Sequence, residues 1–480
     1  MILQNHQPQA VLKHFEAISQ IPRGSGNEQA VSDYINDFAK NLGLKTVQDN
    51  MHNLIIYKGA TPGYESHPPV ILQAHTDMVC EKNADVTHDF LTDPLKLYVD
   101  GDFIKAQGTT LGADNGIAVA MYMALLEAED VQHPPLEIVL TVEEETGMGG
   151  AQNLDYSLLK GRRMVNLDST KDTEFTMGCA AGSMVEYMLE TIWRHVEPEW
   201  DVFKITVKGL TGGHSGDDIE KERGNAIVIL GEILGTLYAH TPIAVASING
   251  GMKVNAIPRE ATATIAVMTK DVDMALGLLE KCRANFAVQY RVSDKNLDIS
   301  WEEGHAYKVM DPMRGEDLIA SLSLLPNGVQ HMSTEIAGLV NASCNIGVIE
   351  TNADGVKISA MPRGAARFYN EQMEVQIGLL SKLTTADVTF IQRSPAWDYN
   401  PDSALLKAAQ ACYAPVFGKA AEVSAIHAGL ECGLFADKLP GLDIISFGPT
   451  NIDLHTPEER LSIASTAKTW AFLQTLLKAL

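Results

Sequence analysis

The chain has 480 residues, of which 37 are Lys or Arg and 61 are Asp or Glu, giving a formal net charge of −24 at pH 7. That excess of acid argues against a nucleic-acid partner, which needs cationic patches, and against adhesion to anionic membranes. At this length one core is not enough, and 45% hydrophobic with 20% charged residues is the make-up of folded globular domains, not of a disordered chain.

The first twenty residues alternate polar and apolar character as a helix does, without the basic start and apolar centre of a signal peptide. Residues 21–27 form a turn that offers Ser25 or Asn27 as an N-cap, and Val31, Tyr34, Ile35, Phe38 and Leu42 then recur at helical spacing up to Gly43. Short apolar runs follow at 54–57, 70–73, 136–142 and 164–167, with a helix over 113–127. Buried strands alternating with helices predict an α/β domain with a mixed, largely parallel sheet covered by helices on both faces. The longest apolar run, residues 117–126, is too short to span a bilayer. Six cysteines without paired spacing suit reduced thiols, and the expectation is a cytoplasmic protein.

Beyond Gly182 the pattern changes to alternating strands at 202–207 and 261–267 with helices at 225–237 and 272–286, which reads as an α+β unit. Asn255-Ala-Ile-Pro-Arg259 and Ser359-Ala-Met-Pro-Arg363 each precede an alternating strand and a helix, a thin sign of internal duplication. After about residue 394 the helix, strand and loop pattern returns at 402–413, 443–447 and 462–477. The expected organisation is therefore a catalytic domain from 1–181 and 394–480 with an α+β lid, 182–393, inserted in it.

Chemistry-bearing side chains gather at strand ends. His75-Thr-Asp77 follows one apolar strand, Glu144 and Glu145 follow another, and Asp168 ends a third. Open parallel sheets collect ligand sites at their carboxyl edges, so three strands deliver metal-competent groups to one edge. Asp77 is placed to orient the His75 imidazole. Asp114, in Gly112-Ala-Asp-Asn-Gly116, starts a helix, where a carboxylate serves equally as a cap. Gly147-Met-Gly-Gly150 after the glutamates allows close backbone approach.

His75-x-Asp77, Gly112-Ala-Asp-Asn-Gly116, Glu144-Glu145-x-Gly147, Asp168 and His455 resemble, in order and spacing, the two-zinc family of aminoacylases, glutamate carboxypeptidases and dipeptidases. His427-Ala-Gly-Leu-Glu-Cys-Gly433, Gly448-Pro-Thr and His455-Thr-Pro-Glu resemble its bacterial aminoacyl-histidine dipeptidase branch. The resemblance implies two zinc ions per chain, with manganese or cobalt also suited to the ligands. Asp114 would bridge them, His75 and Asp168 would complete one and Glu145 and His455 the other. It implies Glu144 as the general base acting on a metal-bridging water, Asp77 as a supporting catalytic residue, and a cis peptide between Asp114 and Asn115. His214, in Gly212-Gly-His-Ser-Gly216, would stabilise the oxyanion, and Asn255, Arg363 and Gly429 would bind substrate. The implied activity is hydrolysis of unblocked dipeptides, including Xaa-His and extending to β-alanyl-histidine. The alternative is another amide hydrolase of the family, an N-acyl amino acid deacylase or a carboxypeptidase. The implied partner is a dipeptide, with no nucleic acid and no membrane, and the chain is expected as a monomer or homodimer in which His214 serves its own chain.

Overall fold

The strands Val70–His75 and Leu136–Thr141 are buried along their whole length, as strands inside a sheet covered on both faces must be. The computed structural model describes residues 2–336 and 338–480. It divides the chain into two compact units, one made of Met1–Gly178, Tyr399–Ala425 and Leu430–Leu480, the other of Cys179–Asp398 and Ile426–Gly429.

The first unit is built on an eight-stranded mixed sheet in the order Lys45–Gln48, Leu54–Lys58, Leu136–Thr141, Val70–His75, Arg163–Asn166, Asp443–Ser446, Glu174–Cys179, Glu422–Ile426. Its four central strands, from Leu136–Thr141 to Asp443–Ser446, run parallel. The three strands that end in candidate ligands are therefore immediate neighbours. The helix Ala113–Glu127 is apolar on every side and buried accordingly. Its Tyr122 hydroxyl shares its one proton between the carbonyls of Gln73 (3.0 Å) and Val165 (3.3 Å), tying it to two of those strands.

Two local readings need correction. The second helix, Gln29–Asn41, has Glu28 at its N-cap position without a side-chain cap, so neither Ser25 nor Asn27 caps it. Ser25 instead donates its hydroxyl to Asp77 Oδ2 at 2.8 Å. The hairpin Leu97–Asp100/Phe103–Ala106, which pairs further with Arg460–Ser462, escaped the pattern reading because its strands are short and half-polar. Its signal was the turn, where Gly101 takes a φ of 61°.

The second unit carries a sheet in the order Asp298–Glu303, Trp200–Lys208, Ala261–Met268, Ile243–Gly250, Val340–Thr351, Gly355–Gly364, Ala181–Glu190, Asp387–Ser394, with Gly328–Met332 added beside Val340–Thr351. Its first four strands arise from the chain order strand, helix Ala226–Tyr238, strand, strand, helix Val272–Gln289, strand. The other four repeat that order around the helices Pro312–Leu324 and Arg367–Leu383, with corresponding strands at corresponding places in the sheet. The two sets meet where Gly250 pairs with Ile349. The segment 359–363 lies inside the strand Gly355–Gly364 and does not precede it as the pattern suggested. Asn225 caps the helix Ala226–Tyr238 by accepting from the amides of Ile227 (3.0 Å) and Val228 (3.3 Å), as its side-chain type favours.

Candidate active site

Each strand end in the first unit presents its ligand where the ladder stops. His75 is the last residue of its strand and 1% exposed, and the Thr76 amide still donates to the Thr141 carbonyl at 2.8 Å, which holds the two exits together. Asp77, wholly buried, organises both exits. Its Oδ1 lies 3.2 Å from His75 Nδ1 and accepts from the Glu144 amide at 3.1 Å, while its Oδ2 accepts from the Glu145 amide at 3.2 Å and from Ser25. One carboxylate thus sets the imidazole plane and the turn carrying both glutamates. Of the glycines after that turn, Gly150 is approached by backbone, since a Cβ there would stand 2.4 Å from the Val142 carbonyl, whereas a Cβ at Gly149 would meet the Glu143 carboxylate at 2.3 Å. Gly147 instead adopts a φ of 129°.

Asp114 does not cap its helix. Its φ and ψ are non-helical, the bond to Asn115 is cis, and its two carboxylate oxygens face different imidazoles. Oδ1 is 3.2 Å from His75 Nε2, and Oδ2 is 3.4 Å from His455 Nε2. Asp168 Oδ1 stands 3.6 Å from His75 Nε2, and Glu145 Oε1 stands 3.0 Å from His455 Nε2. Two clusters result, His75 with Asp114 and Asp168, and Asp114 with Glu145 and His455, in each of which the donor atoms lie within 4.8 Å of one another. A third, overlapping cluster of the same tightness joins His75, Glu144 and Glu145. One imidazole and two carboxylates apiece, with Asp114 shared, is a donor set that fits zinc, manganese or cobalt.

Acid outnumbers base at this edge, and the charges respond. Burial disfavours the His75 imidazolium, yet Asp168, Asp114 and Asp77 hold its pKa well above the ordinary value. The hydrogen bonds to Asp114 and Glu145 push His455 up to about 10. Burial works against the Asp77 carboxylate, but the His75 ring, Ser25 and the Glu144 amide keep it at about 2. Burial, reinforced by Asp168, Glu431 and Glu145, drives Glu144 well above the usual carboxylate range. Both imidazoles are thereby held toward their protonated forms, and a metal ion must displace any proton on the nitrogens it uses. Zinc binding is expected to release a number of protons from the donor set, with affinity rising with pH by about tenfold per unit for each proton released. Calorimetry in buffers of different ionisation enthalpy measures that number, and an uptake of protons would contradict the arrangement.

Several neighbours have roles the sequence did not announce. Asn115 donates its amide to Asp168 Oδ1 (2.7 Å) and to the Leu167 carbonyl (2.9 Å), aiming that carboxylate. Behind the ligands, Gln73, Asn166 and Ser446 stand in register on three adjacent strands. They form a buried polar row, with Asn166 donating to Gln73 (2.6 Å) and accepting from Ser446 and from the Asp168 amide. Glu431 ends the row, accepting from Gln73 (2.5 Å) and Thr141 (2.7 Å), and burial pushes it up to about 7. The signal for this row was a polar residue at the same depth in each of several apolar strands.

The remaining sequence-derived residues belong to the second unit. His214 Nδ1 lies 3.2 Å from Asp217 Oδ2. Arg363, 8% exposed, has Nη2 3.4 Å from Ser215 Oγ and 3.1 Å from Met361 Sδ, while its Nε has no hydrogen-bond partner among the described residues. Asn255 is exposed, and its carbonyl accepts from the Ser215 amide at 2.9 Å. Gly429, half-buried, closes the short segment Ile426–Gly429, in which the buried His427 Nε2 is 2.6 Å from Ser343 Oγ.

Comparison with known proteins places the chain among peptidases. The profile of the family described as Peptidase family M20/M25/M40 matches residues 71–479. The chain is 37% identical over 472 residues to the cytosol non-specific dipeptidase of Escherichia coli, covering 98% of this chain and 97% of that protein. The crystal structure of an aminoacylhistidine dipeptidase from Vibrio alginolyticus superposes with a TM-score of 0.92 at 35% identity, covering 100% of this chain and 98% of that one. Human carnosine dipeptidase 1 shares the fold, with a TM-score of 0.53 at 13% identity over 98% of this chain and 95% of that one.

Proposed function

The chain belongs to peptidase family M20/M25/M40, and from that premise we propose that it hydrolyses unblocked dipeptides, Xaa-His dipeptides and β-alanyl-histidine among them, at a centre of two divalent metal ions. The observation that carries this reading is the sharing of Asp114 between two donor clusters, one oxygen turned to each imidazole. His75, Asp114 and Asp168 would hold one ion, and Asp114, Glu145 and His455 the other, zinc being the first choice. When bound, the ions supply Lewis acidity and ease removal of a proton from water near pH 7.

Glu144 lies among these donors but outside both Asp114 clusters. Its carboxylate takes the proton from water and returns it to the leaving amine, and a buried carboxyl with acidic neighbours is one that can hold a proton between those steps. Asp77 keeps His75 Nε2 turned to the ligands and fixes the Glu144 amide. In this reading residues 1–181 and 394–480 are the catalytic domain and 182–393 an internally duplicated lid. His214 donates to the developing oxyanion. Arg363, Asn255 and Gly429 receive the substrate's terminal carboxylate end, for which a buried guanidinium with a free Nε is suited. A cytoplasmic location is part of the same reading. It is supported by the cytosolic dipeptidase it resembles and by the absence, among the described residues, of a helix long and apolar enough to cross a membrane.

The test is turnover by zinc-reconstituted protein of a panel of free dipeptides, tripeptides and N-acetyl amino acids. Dipeptides are expected to lead by at least about tenfold, and a chelator to abolish the activity. A preference for N-acetyl amino acids or longer peptides would move the protein to the deacylase or carboxypeptidase branch.

A further inference from the structure

The helix that begins beside Asp114 would leave its first amides without intrahelical acceptors. The first two of those amides, with the two that precede them, are taken by Glu459, a side chain only 2% exposed. Its Oε2 accepts from Leu111 (2.7 Å) and Gly112 (2.9 Å), and its Oε1 from Ala113 (2.9 Å), Asp114 (3.4 Å) and the Asn451 side chain (3.1 Å). A carboxylate at a helix start is favoured by the peptide dipoles, so Glu459 does the capping that Asp114 does not.

Arg23 grips the same loop through one of its carbonyls and the exit after His75 through two more. It is 2% exposed, its Nη1 donates to the carbonyls of Thr76 (2.9 Å) and Asp77 (3.2 Å), and its Nη2 donates to the carbonyl of Gly112. The two glycines of Gly112-Ala-Asp-Asn-Gly116 make room for it. A Cβ at Gly112 would lie 2.7 Å from Arg23 Nη2, and one at Gly116 2.5 Å from it.

We propose that Arg23 and Glu459 are positioning residues for the metal centre, a buried clamp whose two halves hold the Asp114 loop by its carbonyl and its amides. The clamp joins three stretches of chain: the residues directly after His75, the loop before Asp114, and the segment that carries His455 four residues ahead of Glu459. Each of those stretches bears one of the ligands that meet at Asp114. The inference rests on the reading of Asp114 as a shared metal ligand.

Arg23→Lys and Glu459→Gln test it, with Lys58→Met as the comparison. Lys58 also satisfies three backbone carbonyls, those of Leu125 (2.7 Å), Leu126 (3.0 Å) and Ala128 (2.8 Å), but at the far end of the same helix. Zinc affinity is read by competition with a chromophoric chelator, ligand geometry by the visible spectrum of the cobalt-substituted protein, and the fold by the melting temperature of the metal-free protein. Both clamp variants are expected to bind at least one ion about 10–100-fold more weakly and to alter the cobalt spectrum. Lys58→Met is expected to melt earlier with affinity and spectrum unchanged. Wild-type affinity, within about threefold, and a wild-type spectrum in folded Arg23→Lys and Glu459→Gln would overturn the proposal. If those variants do not fold, Gly116→Ala, which displaces the guanidinium without removing its charge, is judged by the same criteria. A wild-type protein that binds no pair of ions refutes the metal reading itself, and this inference with it.

Discussion

Glu144→Ala loses about 10²–10⁴ of kcat while its zinc content stays near that of the wild type. The expectation follows from where the side chain stands. Glu144 and Glu145 are consecutive and their amides are fixed by the two oxygens of one Asp77 carboxylate, yet only Glu145 joins a cluster that contains Asp114. The turn therefore sends one carboxylate to the ligand set and keeps the other beside it. Glu144→Gln keeps the shape and removes the base, so it should lose as much, with KM little changed and the acidic limb of the pH profile gone. Glu145→Ala should lose metal and activity together. A Glu144→Ala protein that keeps most of its turnover, or one that loses its zinc, would end the assignment of the base.

Asp114→Asn should empty both positions at once. Its two oxygens serve different imidazoles, and an amide offers a single neutral acceptor in their place. Breaking one partner out of a buried charged set costs about 3–5 kcal/mol, which corresponds to roughly two to four orders of magnitude in affinity. Here that loss applies to each ion, and activity should fall to background. Asp168→Asn, by contrast, touches only the His75 cluster and should leave one ion per chain. Metal analysis after dialysis distinguishes the cases. A stoichiometry for Asp114→Asn equal to that of Asp168→Asn would show that Asp114 is not shared.

The ligands on strand ends were legible because a polar residue closing an apolar run is conspicuous: His75, Asp168 and the Glu144–Glu145 pair all stand at such breaks. His455 carries no such mark. It sits on a loop at a φ of 59°, and only motif likeness pointed to it. Asp114 looked like a cap because its distinguishing feature, a carboxylate turned away from the helix start, depends on Glu459, 345 residues further along the chain. Arg23 was invisible for a related reason, since its partners are backbone carbonyls, and a sequence lists side chains only. In the second unit the alternating strands around 202–207 and 261–267 were read correctly. Val340–Thr351 and Gly355–Gly364, buried on both faces for much of their length, gave no period to read.

The strand Asp443–Ser446 lies between Arg163–Asn166 and Glu174–Cys179, in the middle of its sheet. A ribosome makes those neighbours more than 260 residues before it makes the strand that separates them. Any sheet assembled before then would have a gap beside its parallel core, with unpaired amides and carbonyls of the kind that invite aggregation on either side. The unit made of Cys179–Asp398 and Ile426–Gly429 is by then wholly synthesised, so all of its internal contacts are available before those of the first unit. His455 emerges within ten residues of the missing strand. The birth order of the chain thus makes completion of the sheet and completion of the donor set nearly the same event, and no metal position closed by His455 can form on a half-made chain.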